Sequence, residues 1–440
     1  MDLSRYRRIA TLALPIVGGM VSQNVLNLVD TAMVGVLGDA ALAAVGLGGF
    51  ATFMCQALIL GISSGVQAMA SRRKGEGKIE ETAHPLNAGL CLVVLVAIPL
   101  SALLFFGIPD GYPLLNDDPE VIALGVPYLQ VRVLAIVFVG INFAFRGYWN
   151  AVDLSKIYMR TLLVMHSSNI LLNYVLIFGK FGFPELGVTG AGIGTSLSTL
   201  IGTAYYIATA WRIIRPNGFL SGGLTRTTIS TLVRLSLPNG IQQLFFASGF
   251  TALYWIIGQV GTKDLAAANV LINIMLVAIL PGIALGLTAA TLVGQALGKS
   301  DRDDAMRWGL DTVKVGMVCI GLLGLPMLIF PETILSIFIH APDTLATARL
   351  PMMVSGVTMS LEAAGLILMN ALLGAGDAKR VMIVSIFLQW GLFLPAAYLL
   401  GPVLSYGLLF IWIAQGGYRI LQTIVFYVFW RRGAWAHIQV

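Results

Sequence analysis

The sequence has 440 residues, of which 57% are hydrophobic and only 11% are charged, and its net charge is +6. Soluble domains carry about 25% charged residues, so this chain lacks the polar surface that a water-soluble globule needs. The basic residues lie in short loops and not on one soluble face, so we expect no nucleic-acid partner. Three widely spaced cysteines in apolar runs indicate free thiols, and we expect no disulfide framework and no metal site. Composition therefore predicts an all-α, polytopic membrane protein.

Hydropathy predicts twelve membrane-spanning helices, because about 20 apolar residues at ~1.5 Å each cross the hydrocarbon core. Most Lys and Arg residues fall in loops on one side of these spans, whereas the loop 107–121 has acidic residues and no basic one. The positive-inside rule then places both termini in the cytoplasm. The predicted spans are 9–36, 42–70, 86–107, 122–150, 157–179, 189–214, 229–259, 264–297, 306–330, 345–373, 380–400 and 404–430.

The second half of the chain repeats the first. The matching pairs, at offsets of 223 and 224, are LALPIVGGM at 12–20 with LSLPNGIQQ at 235–243, ALAAVGL at 41–47 with DLAAANV at 264–270, and Asp153 with Asp377. Two halves of six spans each would insert with the same topology, as in some secondary transporters. We predict an N-lobe over residues 1–215, a cytoplasmic linker over 216–228 and a C-lobe over 229–440. The substrate would bind in the cleft between the two pseudo-symmetric six-helix lobes.

Asp30 lies in the first predicted span, where a charge at the bilayer centre costs about 2.5–3.5 kcal/mol. Gln23, Asn27 and Asp30 are spaced i, i+4 and i+7, so they share one stripe of the helix. Burial disfavours the charged form of a carboxyl, and we predict that Asp30 binds a proton that a proton gradient supplies. The alternative is a structural ion pair with Arg132, which lies at a similar depth in the fourth span and would keep Asp30 ionised.

Three further residues are candidates for the mechanism. Glu362, near the middle of the tenth span, would bind a cationic substrate or a second proton; alternatively, it is hydrogen-bonded inside its own lobe. Pro15 removes a backbone donor inside the first span and would bend that helix when Asp30 is protonated. Pro238 occupies the matching place in the second half, so Pro15 is alternatively an ordinary membrane-helix proline. His166 in the fifth span is either a proton relay or a packing residue.

Several motifs together resemble those of the multidrug and toxic compound extrusion (MATE) transporters, and within that family its DinF-like branch. The resemblance covers essentially the whole chain. It implies two six-helix lobes in a V shape, and the export of drug-like compounds in exchange for a proton or a sodium ion. It also implies a monomer in the bacterial cytoplasmic (inner) membrane, no cofactor besides the coupling ion, and a role in antibiotic resistance. The motifs are LALPI followed by Asp30 in NLVDTAMVG, GDAALAAVGLG, NILLNYVLIFG, GVTGAGIGTSLS and GAGDAK.

The resemblance also implies a cation site in the N-lobe. The DinF-like site pairs the helix-1 aspartate, here Asp30, with an Asn and an Asp one turn apart in helix 5 and with a helix-6 threonine. This chain has Asn169 and Asn173 at the helix-5 positions and Thr195 as the threonine, so the second acid is an amide. One acid fewer leaves less charge to hold dehydrated Na⁺, so we predict coupling to protons and regard Na⁺ as less favoured.

Enzymes and lipid flippases are the competing classes of function. The sequence has no HExxH motif and no nucleophile with a plausible base, so we expect no catalytic residue and no enzyme activity. A flippase for a lipid or lipid-linked oligosaccharide would need several cations for its pyrophosphate, and the spans hold mainly Arg132 and Arg146 against Asp30 and Glu362. We therefore predict a secondary active multidrug antiporter for lipophilic, mostly cationic or neutral small molecules, with the flippase as the alternative.

Overall fold

The computed structural model describes residues 3–440, and within this range the chain is helical without a β-strand. The all-α prediction is confirmed. Short 3-10 turns occupy Ile79–Glu81, Tyr112–Leu114, Arg215–Asn217 and Ala434–His437, and π-helical turns occupy Phe387–Phe393 and Leu399–Val403. The α-helices are α1 (Leu3–Gly35), α2 (Asp39–Gly75), α3 (His84–Gly111), α4 (Pro119–Leu134), α5 (Ile136–Ala151), α6 (Ser155–Phe178), α7 (Gly187–Ile213), α8 (Arg226–Val260), α9 (Thr262–Ala278), α10 (Leu280–Gly298), α11 (Arg302–Ile329), α12 (Pro331–Leu335), α13 (Pro342–Ala375), α14 (Ala378–Ile386), α15 (Leu394–Tyr398) and α16 (Leu408–Arg432).

Ten helical segments among residues 3–440 are long and apolar enough to cross a membrane, and the pair α4–α5, bent by 47°, makes an eleventh. The predicted span 189–214 corresponds to α7, which has 27 residues but is not among these segments; its many Gly, Ser and Thr residues lower its hydropathy. The predicted span 264–297 is two helices, α9 and α10. The break comes just before Pro281, which has no backbone N–H to continue the helix.

The chain forms two compact units whose boundaries fall inside helices. α1 and α8 run unbroken through Pro15 and Pro238, and in each helix the unit changes three residues after the proline. The boundaries therefore differ from the predicted lobes, 1–215 and 229–440, in the first helix of each half, and the lobes remain a prediction. The N-unit consists of Gly18–Lys74 and Lys78–Gly240, and the C-unit consists of the chain up to Val17, Gly75–Gly77 and Ile241–Val440.

Aromatic side chains from α5 and α7 fill part of the N-unit interior. Phe145 stacks on Tyr206 and on Trp149, with ring centroids 5.2 and 6.1 Å apart, and all three side chains are buried. Gly61 on α2 lies so close to the backbone of α8 at Gly240 that a Cβ atom would overlap it. In a membrane the lipid tails are as apolar as the side chains, so the hydrophobic effect contributes little to helix association. Small residues such as Gly61 instead allow two helices to pack closely.

Helix α13 is central to the C-unit. Its first part, up to Ala363, packs into an apolar core with α8, α9, α11 and α16. From Ala364 onward it packs into a second core with α10, α11, α16 and the start of α1. Glu362 therefore lies where α13 passes from one core to the other.

Candidate functional site

A chain of hydrogen bonds connects Asp30 on α1 to α6 and α7 inside the N-unit. Asn173 Nδ2 on α6 donates to Asp30 Oδ1 at 2.9 Å and to Asn169 Oδ1 at 3.0 Å. Asn169 Nδ2 donates to Thr195 Oγ1 on α7 at 3.1 Å and to Ser198 Oγ at 3.3 Å. Both asparagine side chains are fully buried, whereas Asp30 is half-buried. The structure thus brings together four of the residues that were selected from the sequence.

Local sequence explains this geometry. Asn169 and Asn173 are four residues apart, so their side chains stack along one face of α6. Gly194 on α7 lies against Asn173 Oδ1, where any Cβ atom would overlap the amide oxygen. That oxygen is buried and accepts no hydrogen bond within residues 3–440. Leaving such an acceptor unpaired costs about 1–3 kcal/mol, so it is the point in the cluster that would gain most from a new donor.

The rest of the polar stripe on α1 has different partners. Gln23 Nε2 donates to Asn27 Oδ1 at 3.1 Å, and Gln23 Oε1 lies 3.0 Å from His166 Nε2 on α6. Ser22 Oγ lies 2.9 Å from His166 Nδ1, so both ring nitrogens contact α1. Ser22 and His166 also line a cavity of about 350 Å³ between α1 and α6. Within the predicted stripe, therefore, Gln23 contacts His166, whereas Asp30 is hydrogen-bonded to Asn173.

Arg132, at the end of α4, is close enough to Asp30 for their charges to interact. Among the residues that the structure describes, however, the two side chains form no ion pair within 4 Å. Arg132 Nε is buried and donates no hydrogen bond within the described range. The structural ion pair that was the alternative for Asp30 is therefore not formed in this structure.

Glu362 belongs to a second polar cluster, in the C-unit. It is buried on α13, and Thr358 Oγ1, one turn earlier, donates to its Oε1 at 2.8 Å. Arg419 on α16 acts on Glu362 through its charge. Arg419 Nε and Gln415 Oε1 are buried nearby on α16 and have no hydrogen-bond partner in the described chain. Pro15 contributes to neither cluster; it lies inside α1, which stays helical around it.

Three contributors to these clusters were not predicted from the sequence. Ser198 lies one turn after Thr195, so the spacing that selects the threonine also selects the serine. Arg419 lies inside the predicted span 404–430, and a charge within a span was the signal that should have selected it. Thr358 precedes Glu362 by four residues, which places it on the same face of α13. No group of three or more His, Cys, Asp and Glu side chains that would hold a metal occurs within residues 3–440.

Comparisons with known proteins extend these findings. A family model described as MatE matches residues 15–175 and 238–399. The two matched segments begin 223 residues apart, at Pro15 and Pro238, which is the offset of the internal repeat. The repeat predicted from the motifs is therefore also recognised at family level.

Similar proteins match along nearly the whole chain. A "Probable multidrug resistance protein NorM" from Thermotoga maritima is 25% identical over 98% of this chain and 93% of that protein. A protein of the same printed name from Synechocystis sp. is 28% identical over 90% of this chain and 87% of its own. Both of these relatives bear the name NorM, so the DinF-like branch remains a prediction.

Solved structures share the fold. A multidrug resistance MATE family transporter in an outward-facing conformation has a TM-score of 0.90 at 20% identity, over 99% of this chain and 97% of that chain. A MOP superfamily transporter from Pyrococcus furiosus has a TM-score of 0.89 at 20% identity, with the same shares covered. The family model matches well over half of the sequence. The chain therefore belongs to the MatE family of multidrug and toxic compound extrusion transporters, and it is a multi-pass membrane transporter and not an enzyme.

Proposed function

We propose that the protein is a secondary active antiporter that exports lipophilic, mostly cationic or neutral compounds in exchange for protons. The observation that carries the proposal is the bond from Asn173 to Asp30, which ties the carboxylate in the first span to α6. Family membership and the "multidrug resistance" names of similar proteins support the choice of cargo. The proposed setting is a monomer in the bacterial cytoplasmic membrane with both termini in the cytoplasm, where export would give resistance to antibiotics.

The chemistry of the cluster favours a proton over Na⁺ as the coupling ion. Asp30 is the one carboxylate of the cluster, and its neighbours Asn169, Asn173 and Thr195 are neutral. Neutral amides hydrogen-bond to a carboxylate through N–H and to a protonated carboxyl through C=O. The cluster therefore has partners for both protonation states of Asp30.

Protonation would give Asp30 a hydrogen-bond donor, so its hydrogen bond with Asn173 would change. The ionised carboxylate accepts from Asn173 Nδ2, and the amide oxygen of Asn173 has no donor among residues 3–440. A protonated Asp30 has an O–H to donate, and rotation of the Asn173 amide would bring its unpaired oxygen toward that proton. We propose this exchange of donor and acceptor as the local event that couples protonation to the packing of α1 against α6.

Coupling to the substrate follows from charge. An ionised Asp30 attracts a cationic compound, and protonation removes that attraction. Because linkage is reciprocal, a bound cation also weakens proton binding by the same factor. Protons entering from outside would therefore displace the compound there, and proton loss to the cytoplasm would restore its site. In the C-unit, Glu362 would provide a second site for a cationic compound or a proton, and Pro15 would allow α1 to bend.

The test is efflux of a cationic dye such as ethidium from proteoliposomes, with a proton gradient and a sodium gradient imposed separately. The wild type should export the dye under the proton gradient, and Asp30→Asn should reduce the rate by at least about a hundredfold, the scale of losing a proton-carrying group. Asp117→Asn, a change at an exposed aspartate that precedes α4, serves as the matched control and should transport normally.

Other outcomes would redirect the proposal. Efflux driven by the sodium gradient would show that the neutral amides do not exclude Na⁺ coupling. Absence of dye transport under both gradients, together with movement of a fluorescent lipid between leaflets, would favour the flippase. Full proton-driven efflux by Asp30→Asn would remove Asp30 from the mechanism.

A further inference from the structure

Arg419 on α16 is a cation within a membrane-spanning segment, and its neighbours hold it only loosely. Its Nη1 donates to Gln422 Oε1 at 3.3 Å, three residues later on the same helix. Its guanidinium lies 5.0 and 5.7 Å from the ring centres of Tyr418 and Phe246, near the outer limit of about 6 Å for a cation–π contact. Its Nε is buried and has no acceptor within residues 3–440. Because an unpartnered buried donor is costly, Arg419 would gain from moving to a new acceptor.

Glu362 offers such an acceptor in the same unit. Thr358 Oγ1 donates to Glu362 Oε1 at 2.8 Å, and no described residue donates to the second carboxylate oxygen, Oε2. Oε2 is not completely enclosed, although the residue as a whole is only 7% exposed. The charges of Glu362 and Arg419 interact, yet among the described residues these two side chains form no ion pair within 4 Å.

Asp377 and Arg380 provide the contrast within the C-unit. Asp377 lies between α13 and α14 and is buried, and Arg380, one turn later, places its Nη1 3.3 Å from Asp377 Oδ2. Both Asp377 and Glu362 are therefore buried acids with an arginine near them. The pair at Asp377 is closed, whereas the pair at Glu362 is open and leaves a carboxylate oxygen unused.

Closing the pair of Glu362 and Arg419 has a gain and a cost. A closed pair would satisfy the free oxygen of Glu362 and the free donors of Arg419. It would also withdraw both charges from accessible space, and this loss of solvation offsets much of their attraction. The open and closed arrangements would therefore lie close in free energy, so a ligand would be able to shift the balance between them. An external cation reaches Glu362 Oε2 in the open arrangement, whereas the guanidinium occupies it in the closed one.

We propose that Arg419 is an internal competitor at the C-unit site: its guanidinium exchanges with an external cation for Glu362 Oε2, which limits the affinity for cationic compounds and speeds their release. The inference rests on the proposed function, since Glu362 is the acid assigned there to a cationic compound or a proton. The proposal predicts the sign of a mutational effect. Removing Arg419 should strengthen the binding of a cation, whereas losing a merely structural residue would weaken it.

The experiment measures equilibrium binding of ethidium, a permanent cation, to the purified full-length protein by fluorescence anisotropy. Arg419→Gln should bind the dye about ten- to hundredfold more tightly, the scale of removing one competing charge from a partly solvated site. Glu362→Gln should weaken binding. In the double variant, Arg419→Gln should then have no further effect, because the competitor has lost its target. The same series in an Asp30→Asn background removes the contribution of the N-unit acid.

Two variants serve as controls. Arg419→Lys keeps a tethered positive charge, so its affinity for ethidium should stay within about threefold of the wild type. Lys263→Gln removes one positive charge from the exposed start of α9, where Asp343 lies 3.9 Å away, and should leave binding unchanged.

Proton-driven efflux in proteoliposomes gives an independent readout. In Arg419→Gln the apparent KM for ethidium should fall together with the dissociation constant, and the maximal rate should also fall, because the dye leaves Glu362 more slowly. A lower KM combined with a lower maximal rate distinguishes a lost competitor from a misfolded site.

The outcomes separate this inference from the antiport proposal. Weaker or unchanged binding in Arg419→Gln would overturn the role of Arg419, as would unchanged binding in Glu362→Gln. An equal gain from Arg419→Gln with and without the Glu362 carboxylate would also overturn it, because the charge would then act on the dye directly. Proton-driven efflux by the wild type would in each case leave the antiporter standing. If the wild type shows no gradient-driven efflux, the antiport proposal fails, and the binding series alone then decides whether Arg419 competes for Glu362.

Discussion

The two units each hold an acid inside a membrane-spanning helix, and the acids are held differently. Asp30 in the N-unit takes its hydrogen bond from Asn173 on another helix and is half-buried. Glu362 in the C-unit takes its hydrogen bond from Thr358 on its own helix and is buried. A hydrogen bond between helices would transmit a change of protonation directly to their packing, whereas the bond from Thr358 to Glu362 stays within α13 and reaches α16 only through the charge of Arg419. The comparison supports the proposal that Asp30, and not Glu362, is the main coupling acid.

The surroundings of the two acids differ as well. Arg132 near Asp30 and Arg419 near Glu362 are both arginines without an ion pair to the acid among the described residues. Arg419, however, donates to Gln422 Oε1 at 3.3 Å, whereas Arg132 donates no hydrogen bond to any residue that the structure describes. Within residues 3–440 both clusters keep buried atoms without a hydrogen-bond partner, Asn173 Oδ1 and Arg132 Nε in the N-unit and Gln415 Oε1 and Arg419 Nε in the C-unit.

The prediction with the largest expected effect tests this comparison at Glu362 in the C-unit. Glu362→Gln keeps the acceptor for Thr358 and removes only the charge, so proton-driven dye efflux should fall about tenfold, less than the roughly hundredfold expected for Asp30→Asn. The measurement is the initial rate in proteoliposomes, with protein orientation checked by protease access. Thr358→Val is the matched control, because it removes the donor and retains the acid. Equal losses for Glu362→Gln and Asp30→Asn would show that the two acids act together.

A second prediction concerns how tightly the Asp30 cluster is packed. Gly194→Ala would press a methyl group against Asn173 Oδ1 and shift the amide away from Asp30. Overpacking of this kind costs about 1–3 kcal/mol, so we expect efflux to fall severalfold to tenfold and the thermal unfolding midpoint to drop. Gly49→Ala on α2, where an added Cβ meets nothing within 4 Å, should change neither quantity. An unimpaired Gly194→Ala would mean that the position of Asn173 does not matter for transport.

A third prediction, with a smaller expected effect, tests the contacts of His166 with Ser22 and Gln23 on α1. His166→Phe keeps a ring of similar size but loses the contacts to Ser22 and Gln23. Each lost hydrogen bond is worth about 0.5–1.5 kcal/mol, so efflux should fall about threefold while remaining proton-driven. Ser167→Ala, at a neighbouring exposed residue that lines the same cavity, is the control. Complete loss of proton coupling in His166→Phe would instead favour the relay role for this histidine.

The sequence allowed much of the N-unit cluster to be predicted, and the reasons are local. The four-residue spacing of Asn169 and Asn173 places both amides on one face of any α-helix. An acid within a membrane span is costly and therefore indicates a functional site. Which side chains meet across helices was less accessible, because it depends on how each helix is rotated about its axis. The contact of His166 with Gln23 and the separation of Arg132 from Asp30 are of this kind.

Breaks within spans show the same limit. The end of α9 before Pro281 follows from the missing backbone donor, and this proline was visible in the sequence. The 47° bend between α4 and α5 falls next to Ala135, with no proline at the break, and nothing in the local sequence predicts it. Because Arg132 lies beside this bend, the direction of its side chain could be obtained only from the structure.

The smallest predicted effect concerns Pro15, which lies in the part of α1 that belongs to the C-unit, three residues before the N-unit begins. α1 is already helical through this position, so Pro15→Ala restores one backbone hydrogen bond and should change the efflux rate about twofold or less if the proline is a passive part of the repeat. Pro238→Ala makes the matched change in α8 and should behave alike. The bend hypothesis requires the two to differ: a large loss in Pro15→Ala alone would show that α1, the helix that carries Asp30, must flex at its proline whereas α8 need not.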